Sequence, residues 1–168
     1  MPSPEHGRAQ RKLGEALGPF DGRPGGAGRP GGWFLSSNVD VLLAGEGLRP
    51  DLVGWRRERV PTLPRPGPTG VVTERPDWVA EVLSSSTASR DLGEKLAIYH
   101  AVGVPHYWVI DPVNHTLIVY RWIPEGYVVV LGAGADKVFR AEPFEALELR
   151  VGLLFGDEEE TAVPAPEP

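Results

Sequence analysis

Residues 76–111, PDWVAEVLSSSTASRDLGEKLAIYHAVGVPHYWVID, leave the chain few ways to fold. Residues 78–83 are a short apolar run. On the two-residue period of a strand, Val79 and Leu83 share one face and Trp78, Ala80 and Val82 the other. Ser84, Ser85, Ser86 and Thr87 follow, and Thr87 or Ser89 suits the N-cap of a helix with the apolar stripe Leu92, Leu96 and Tyr99. Gly103 stops that helix, Pro105 follows, and residues 107–110 form a second strand. This order predicts a β-α-β unit, in which the helix crosses over between parallel strands. Glu81 interrupts the first strand on the Val79/Leu83 face. A carboxylate there is costly unless a metal, a cation or hydrogen bonds compensate it.

The rest of the chain is organised around that unit. With 168 residues and 41% hydrophobic side chains, residues 1–155 can bury the core of one domain. Residues 156–168 are acidic and proline-rich, the composition of a disordered tail. Residues 5–17 predict a helix begun by Ser3 or Pro4, with Ala9, Leu13, Ala16 and Leu17 on one face. Residues 21–32 (DGRPGGAGRPGG) read as a flexible connector whose Arg23 and Arg29 are more simply solvated than phosphate-bound. Residues 33–35 and 39–43 predict one kinked strand or two short ones, with Asp40 facing water from an edge. A turn at residues 45–47 predicts a hairpin pairing residues 39–43 with residues 51–55. Residues 116–122 and 127–131 form a second hairpin. Residues 138–139 and 146–151 add short strands, and Leu153, Leu154 and Phe155 are expected to be buried.

Composition narrows the classes of function. The net charge of −6 argues against a generally basic surface and leaves room for a local basic groove. The absence of cysteine rules out disulfides and thiolate metal sites and is compatible with a reducing interior. The expected location is therefore cytoplasmic. No apolar segment approaches membrane-spanning length and none resembles a signal sequence. His6, His100, His106 and His115 are scattered and are read as surface or packing residues rather than metal ligands. The five tryptophans, all on predicted strands, are read as core or edge packing before base-stacking platforms.

Chemistry centres on carboxylates at strand positions 40, 51 and 81 and on Lys95 in the following helix. Two acids on neighbouring strands can hold Mg²⁺, which prefers oxygen ligands and keeps waters for a phosphate. A nearby lysine can stabilise the transition state or orient the attacking water. The plainer readings are that Asp51 closes a turn and that Lys95 forms an exposed helical pair with Asp91, contributing little stability.

The segments Pro50-Asp51-Leu52-Val53-Gly54-Trp55, Pro76-Asp77-Trp78-Val79-Ala80-Glu81-Val82-Leu83-Ser84 and Arg90-Asp91-Leu92-Gly93-Glu94-Lys95 stand in order. With Tyr99, Gly103-Val104-Pro105 and Tyr107-Trp108-Val109-Ile110-Asp111-Pro112, they resemble the Uma-two family of restriction-endonuclease-like proteins, in the PD-(D/E)XK nuclease superfamily. The resemblance spans roughly residues 33–155. It implies an α/β, restriction-endonuclease-like fold: a mixed β-sheet core with flanking helices. It also implies Mg²⁺-dependent hydrolysis of DNA phosphodiester bonds, with Mn²⁺ as a substitute. By motif, Asp51 is the aspartate of PD and Glu81 the acid of (D/E)XK. Both would bind metal, with the Val82 carbonyl completing the coordination. Leu83 replaces the superfamily lysine, and Lys95 matches the helical lysine thought to substitute for it in this family. Asp40 and Leu42 stand where relatives commonly carry glutamate and histidine. Relatives usually have further N-terminal residues, including a strand with an acidic residue, so this chain is expected to lack that strand. Related nucleases often act as homodimers. The rival expectation is a catalytically degenerate nucleic-acid-binding or assembly protein on the same fold.

Overall fold

A computed structural model of the chain describes residues 3–156. Helix α1 (Pro4–Leu17) begins where the Ser3 hydroxyl oxygen accepts the His6 N–H at 3.1 Å, with Pro4 in its first turn. Its stripe of His6, Ala9, Leu13 and Leu17 is buried, while Ala16 is only half-buried. The strands that follow are β1 (Trp33–Ser37), β2 (Val41–Leu43), β3 (Glu46–Leu48), β4 (Leu52–Arg56) and β5 (Trp78–Val82). Helices α2 (Ala88–Leu92) and α3 (Glu94–Ala101) lead into β6 (His106–Asp111), β7 (Thr116–Ile123) and β8 (Gly126–Gly134). Two short strands, β9 (Val138–Phe139) and β10 (Leu149–Arg150), precede a closing 3₁₀ turn at Val151–Phe155. No helix among the described residues is long and apolar enough to cross a membrane. The acidic tail beyond Gly156 lies outside the described residues.

One six-stranded sheet in the order β1-β4-β5-β6-β7-β8 carries the fold. Every neighbouring pair is antiparallel except β5 and β6, which are parallel and are joined by α2 and α3. The predicted β-α-β unit is therefore present, inside a mixed sheet. Both faces of the sheet are covered. On one, α1 packs Ala9, Leu13 and Leu17 with Trp78, Ala80, Val82, Trp108 and Phe144. On the other, Tyr99 of α3 joins Val53, Val79, Leu83, Tyr107 and Val109, together with Val41, Leu43 and Leu48 from the β2–β3 ribbon. The alternation read along residues 78–83 thus divides β5 between two cores. Full coverage explains why a central strand is apolar on both sides. Of the closing residues, Leu154 is buried, whereas Leu153 and Phe155 are half-buried.

Three expectations are corrected. Residues 39–43 do not pair with residues 51–55: β2 pairs with β3, and β4 pairs with β1, Leu35 opposite Gly54. The tight turn is Ala44-Gly45, both in the left-handed region (φ 52° and 77°). Two such residues make the mirror-type turn that suits a two-residue hairpin. Alanine is a poor residue for it, so the glycines at 45 and 47 misplaced the turn in the sequence. Secondly, the crossover helix is broken. Gly93 (φ −119°, ψ −82°) separates α2 from α3, leaves Leu92 44% exposed and turns Asp91 inward, so the stripe Leu92-Leu96-Tyr99 does not form one face.

Thirdly, the glycine-proline segment 21–32 is pinned rather than loose. The Gly32 N–H donates to the Gly22 carbonyl, the Gly31 N–H to Pro19, and Arg57 N–H to the Gly32 carbonyl. Gly31 has φ +59°, and a Cβ there would lie 2.0 Å from the Arg23 carbonyl oxygen. Gly28 has φ +73° but open space where its Cβ would stand. Gly31→Ala is therefore expected to lower the unfolding free energy by roughly 3 kcal/mol, and Gly28→Ala by only about 1 kcal/mol. Equilibrium urea denaturation checks the difference, and equal losses would contradict the backbone clash.

Candidate active site

The position of Asp51 and Glu81 follows from strand register. β4 and β5 are antiparallel, with Leu52 opposite Ala80 and Val53 opposite Val79. One step further, Asp51 stands opposite Glu81, and directly opposed residues of an antiparallel pair project to the same face, about 5 Å apart at Cβ. The two carboxyl groups are close enough to perturb one another. Asp51 Oδ2 also accepts the Val82 N–H at 2.7 Å. The part of Val82 that meets Asp51 is thus its amide.

Glu81 is 1% exposed, and its surroundings compensate it. Oε1 accepts the Tyr99 hydroxyl at 2.7 Å, and Oε2 lies 3.3 Å from Lys95 Nζ. Lys95 is at the same time 2.9 Å from Asp91 Oδ1. Asp91 is itself buried: its Oδ2 accepts the Thr87 hydroxyl and its carbonyl accepts the Tyr107 hydroxyl. The helical Asp91–Lys95 pair read from the spacing is present. Its setting is not the exposed one expected, because the Lys95 side chain is only 12% exposed and bridges two buried acids.

Burial pushes the Glu81 carboxyl up to about 8; Lys95 opposes the rise and Asp51 adds to it. Burial also raises Asp51, while the Val82 N–H, His6, Lys95 and Glu81 pull it back. For Lys95, burial works downward, but Glu81 and Asp91 outweigh it and the net direction is up. Lys95 is therefore a persistent ammonium. It can donate hydrogen bonds and stabilise negative charge, but it is a poor proton acceptor near neutral pH.

A metal would have to fit this donor set. Asp51 and Glu81 offer only oxygen and repel one another when both are ionised, a conflict that a hard divalent cation between them relieves. No cluster of three or more His, Asp or Glu side chains with metal-holding geometry occurs among the described residues. The two carboxylates would thus be completed by backbone oxygen and water, an arrangement Mg²⁺ tolerates.

Asp40 is held by Arg49 (2.8 Å) on the surface, as its edge position predicted, and its polar contacts do not run to Asp51 or Glu81. His6, read from sequence as packing or surface, lies against the site, with Nε2 3.4 Å from Asp51 Oδ2. A signal was there: His6 falls on the apolar stripe of α1, three residues before Ala9 and seven before Leu13. Tyr99 was read as part of the apolar stripe and of the family pattern, and its hydroxyl role needed the strand opposite it.

The family profile Uma2, described as "Putative restriction endonuclease", matches residues 1–152, and the chain belongs to this family. It is similar to a protein from Anabaena variabilis whose crystal structure is described as "a putative nuclease belonging to DUF820". The TM-score is 0.64 at 21% identity, over 92% of this chain and 82% of that one. That likeness shows a shared fold. No curated protein matches the chain.

The raised carboxyl of Glu81 makes stability pH-dependent. The folded state keeps the Glu81 proton up to about 8, while the unfolded chain releases it near 4.5. Between those values the folded state binds more protons, so this contribution is fully present below about 4.5 and is lost as pH rises through about 8. Glu81→Gln mimics the protonated acid and can still accept the Tyr99 hydroxyl. The metal-free variant is expected to be the more stable protein at pH 8, by about 1 kcal/mol or more, roughly 2–4 °C in Tm per kcal/mol. Calorimetry at pH 5 and pH 8 decides it; a variant less stable at pH 8 would show that Glu81 is held as a compensated anion.

Proposed function

We propose that this protein is a cytoplasmic Mg²⁺-dependent endonuclease that hydrolyses DNA phosphodiester bonds. Asp51 and Glu81 would be the metal-binding acids and Lys95 the cation beside the reacting phosphate. The observation that carries it is the approach of Asp51, one step beyond the β4–β5 ladder, to Glu81 beside a half-buried ammonium. Membership of a family described as restriction endonucleases supports DNA as the substrate.

The bound cation would supply charge for the phosphate oxygens and lower the pKa of a coordinated water. The chain's own part is positional and electrostatic. Tyr99 holds one oxygen of Glu81, and the Val82 N–H holds one oxygen of Asp51, so each carboxylate is constrained at one end. Binding a cation requires Glu81 to give up its proton, so affinity should rise with pH. Lys95, kept charged by Asp91, can donate to a phosphate oxygen as negative charge builds there. Water's oxygen would add to phosphorus as the bond to the leaving oxygen breaks; the attacking water loses a proton to solvent, the leaving oxygen takes one up as a hydroxyl, and a phosphomonoester remains. A homodimer would place two such sites on a duplex, one for each strand.

One observation favours the rival reading of DNA binding without cleavage: Lys95 is already engaged by two carboxylates, so the site is partly neutralised from within. Salt-sensitive binding that ignores chelator and never yields cut product would select it.

Cleavage of duplex DNA is expected with Mg²⁺ or Mn²⁺, to stop with EDTA, and to be lost in Glu81→Gln. Lys95→Gln should lower the single-turnover rate on the order of 10²–10³-fold, by analogy with loss of one oxyanion donor. Lys95→Ala, in contrast to the expectation for an exposed lysine, should also cost on the order of 3 kcal/mol because two buried acids lose their cation. Wild-type rates in a folded Lys95→Gln variant would remove Lys95 from the reaction.

A further inference from the structure

The geometry points to His6 as a positioning residue for Asp51: we propose that α1 grips Asp51 and presets its carboxylate for the cation, an inference that rests on the metal-dependent reading above. Two residues one helical turn apart make the grip. His6 Nε2 faces Asp51 Oδ2 at 3.4 Å, and Gln10 Nε2 donates to the Asp51 backbone carbonyl at 3.0 Å. Gln10 also donates to Asn38 Oδ1 at 3.1 Å, and the Asn38 N–H donates to the same Asp51 carbonyl at 3.3 Å. The backbone of Asp51 is thus fixed by α1 and by the end of β1 together.

The side chain needs its own restraint, because the carboxylate torsion of aspartate is broad and soft. Val82 N–H holds Oδ2 from β5, and His6 approaches the same oxygen from the helix on the opposite face of the sheet. Both contacts fall on Oδ2, so they hold one end of the carboxylate from two sides. His6 is itself fixed, since its backbone N–H is held by Ser3 and it is 8% exposed. Its Nδ1 is buried with no hydrogen-bond partner. An unpaired buried nitrogen is unfavourable, and a leucine beside Ala9 and Leu13 would avoid it. The other ring nitrogen, Nε2, is the one that meets Asp51. Holding that carboxylate is the role that accounts for a histidine on an apolar stripe.

Mn²⁺ titration of the full chain, followed by electron paramagnetic resonance of the free ion, tests this with thermal unfolding as the companion readout. His6→Leu should weaken Mn²⁺ binding about 10–100-fold, the usual effect of removing a group that orients a metal ligand, while Tm does not fall. His6→Gln places an amide nitrogen near the position of Nε2 and should recover most of the affinity. His6→Asn, one methylene shorter, should not. A leucine variant that binds within twofold of wild type overturns the inference, as does equal loss in the Gln and Asn variants, which would signal packing alone. Should the leucine variant fail to fold, the Gln–Asn difference decides. If wild type takes up no Mn²⁺, the metal-dependent function and the role of His6 fall together; if wild type binds and His6→Leu binds equally, only the inference on His6 falls.

Discussion

The register between β4 and β5 is the constraint on which the site depends. Leu52 opposite Ala80 puts Asp51 opposite Glu81, and a slip of one residue would send the two acids to different faces. That register is held by the cores as much as by the ladder. Val53 and Val79 belong to one core, and Leu52 and Ala80 to the other. A slip would exchange these sets and break both cores at once. The packing that stabilises the domain therefore also brings two carboxylates together, which they would not do unaided.

Around that pair the chain arranges its compensation. Two buried acids, Glu81 and Asp91, hold one ammonium beside the half-buried Asp51, with Tyr99 and Tyr107 contributing hydroxyls and His6 standing against Asp51. Burial raises both Asp51 and Glu81, so the metal-free site sits more easily with a proton than with a full set of charges. Such a cluster is a poor device for stability, since apolar residues of similar volume would pack at lower desolvation cost. Perturbed acids with a specific charge partner are instead a mark of functional sites. The break at Gly93 serves the same end. It turns Asp91 inward, where it anchors Lys95, and leaves Leu92 outside.

Much of this was legible in the sequence because strand and helix periods are local. The division of β5 between two faces, the ends of α1, the β7–β8 hairpin and the oddity of Glu81 all follow from spacing. Spaced motifs pointed to the family, and the family match agrees. The missed features are those in which distant residues meet. The β2–β3 ribbon hid behind an alanine in a left-handed turn, and the order β1-β4-β5 could not be read from hairpin length. His6 is 45 positions from Asp51 in number but reaches its carboxylate through the docking of α1.

By itself the sequence determined which residues carry charge, where the chain can be strand or helix, and that a carboxylate at 81 must find a partner. These depend on residue type and on repeats of a few positions. The tertiary structure decided that the partners are Lys95, Tyr99 and Asp51, that Lys95 is half-buried rather than exposed, and that His6 belongs with them. The physical reason is that desolvation and charge–charge energies depend on distance and burial. Both are set only when β4, β5, α1 and α3 close on one another.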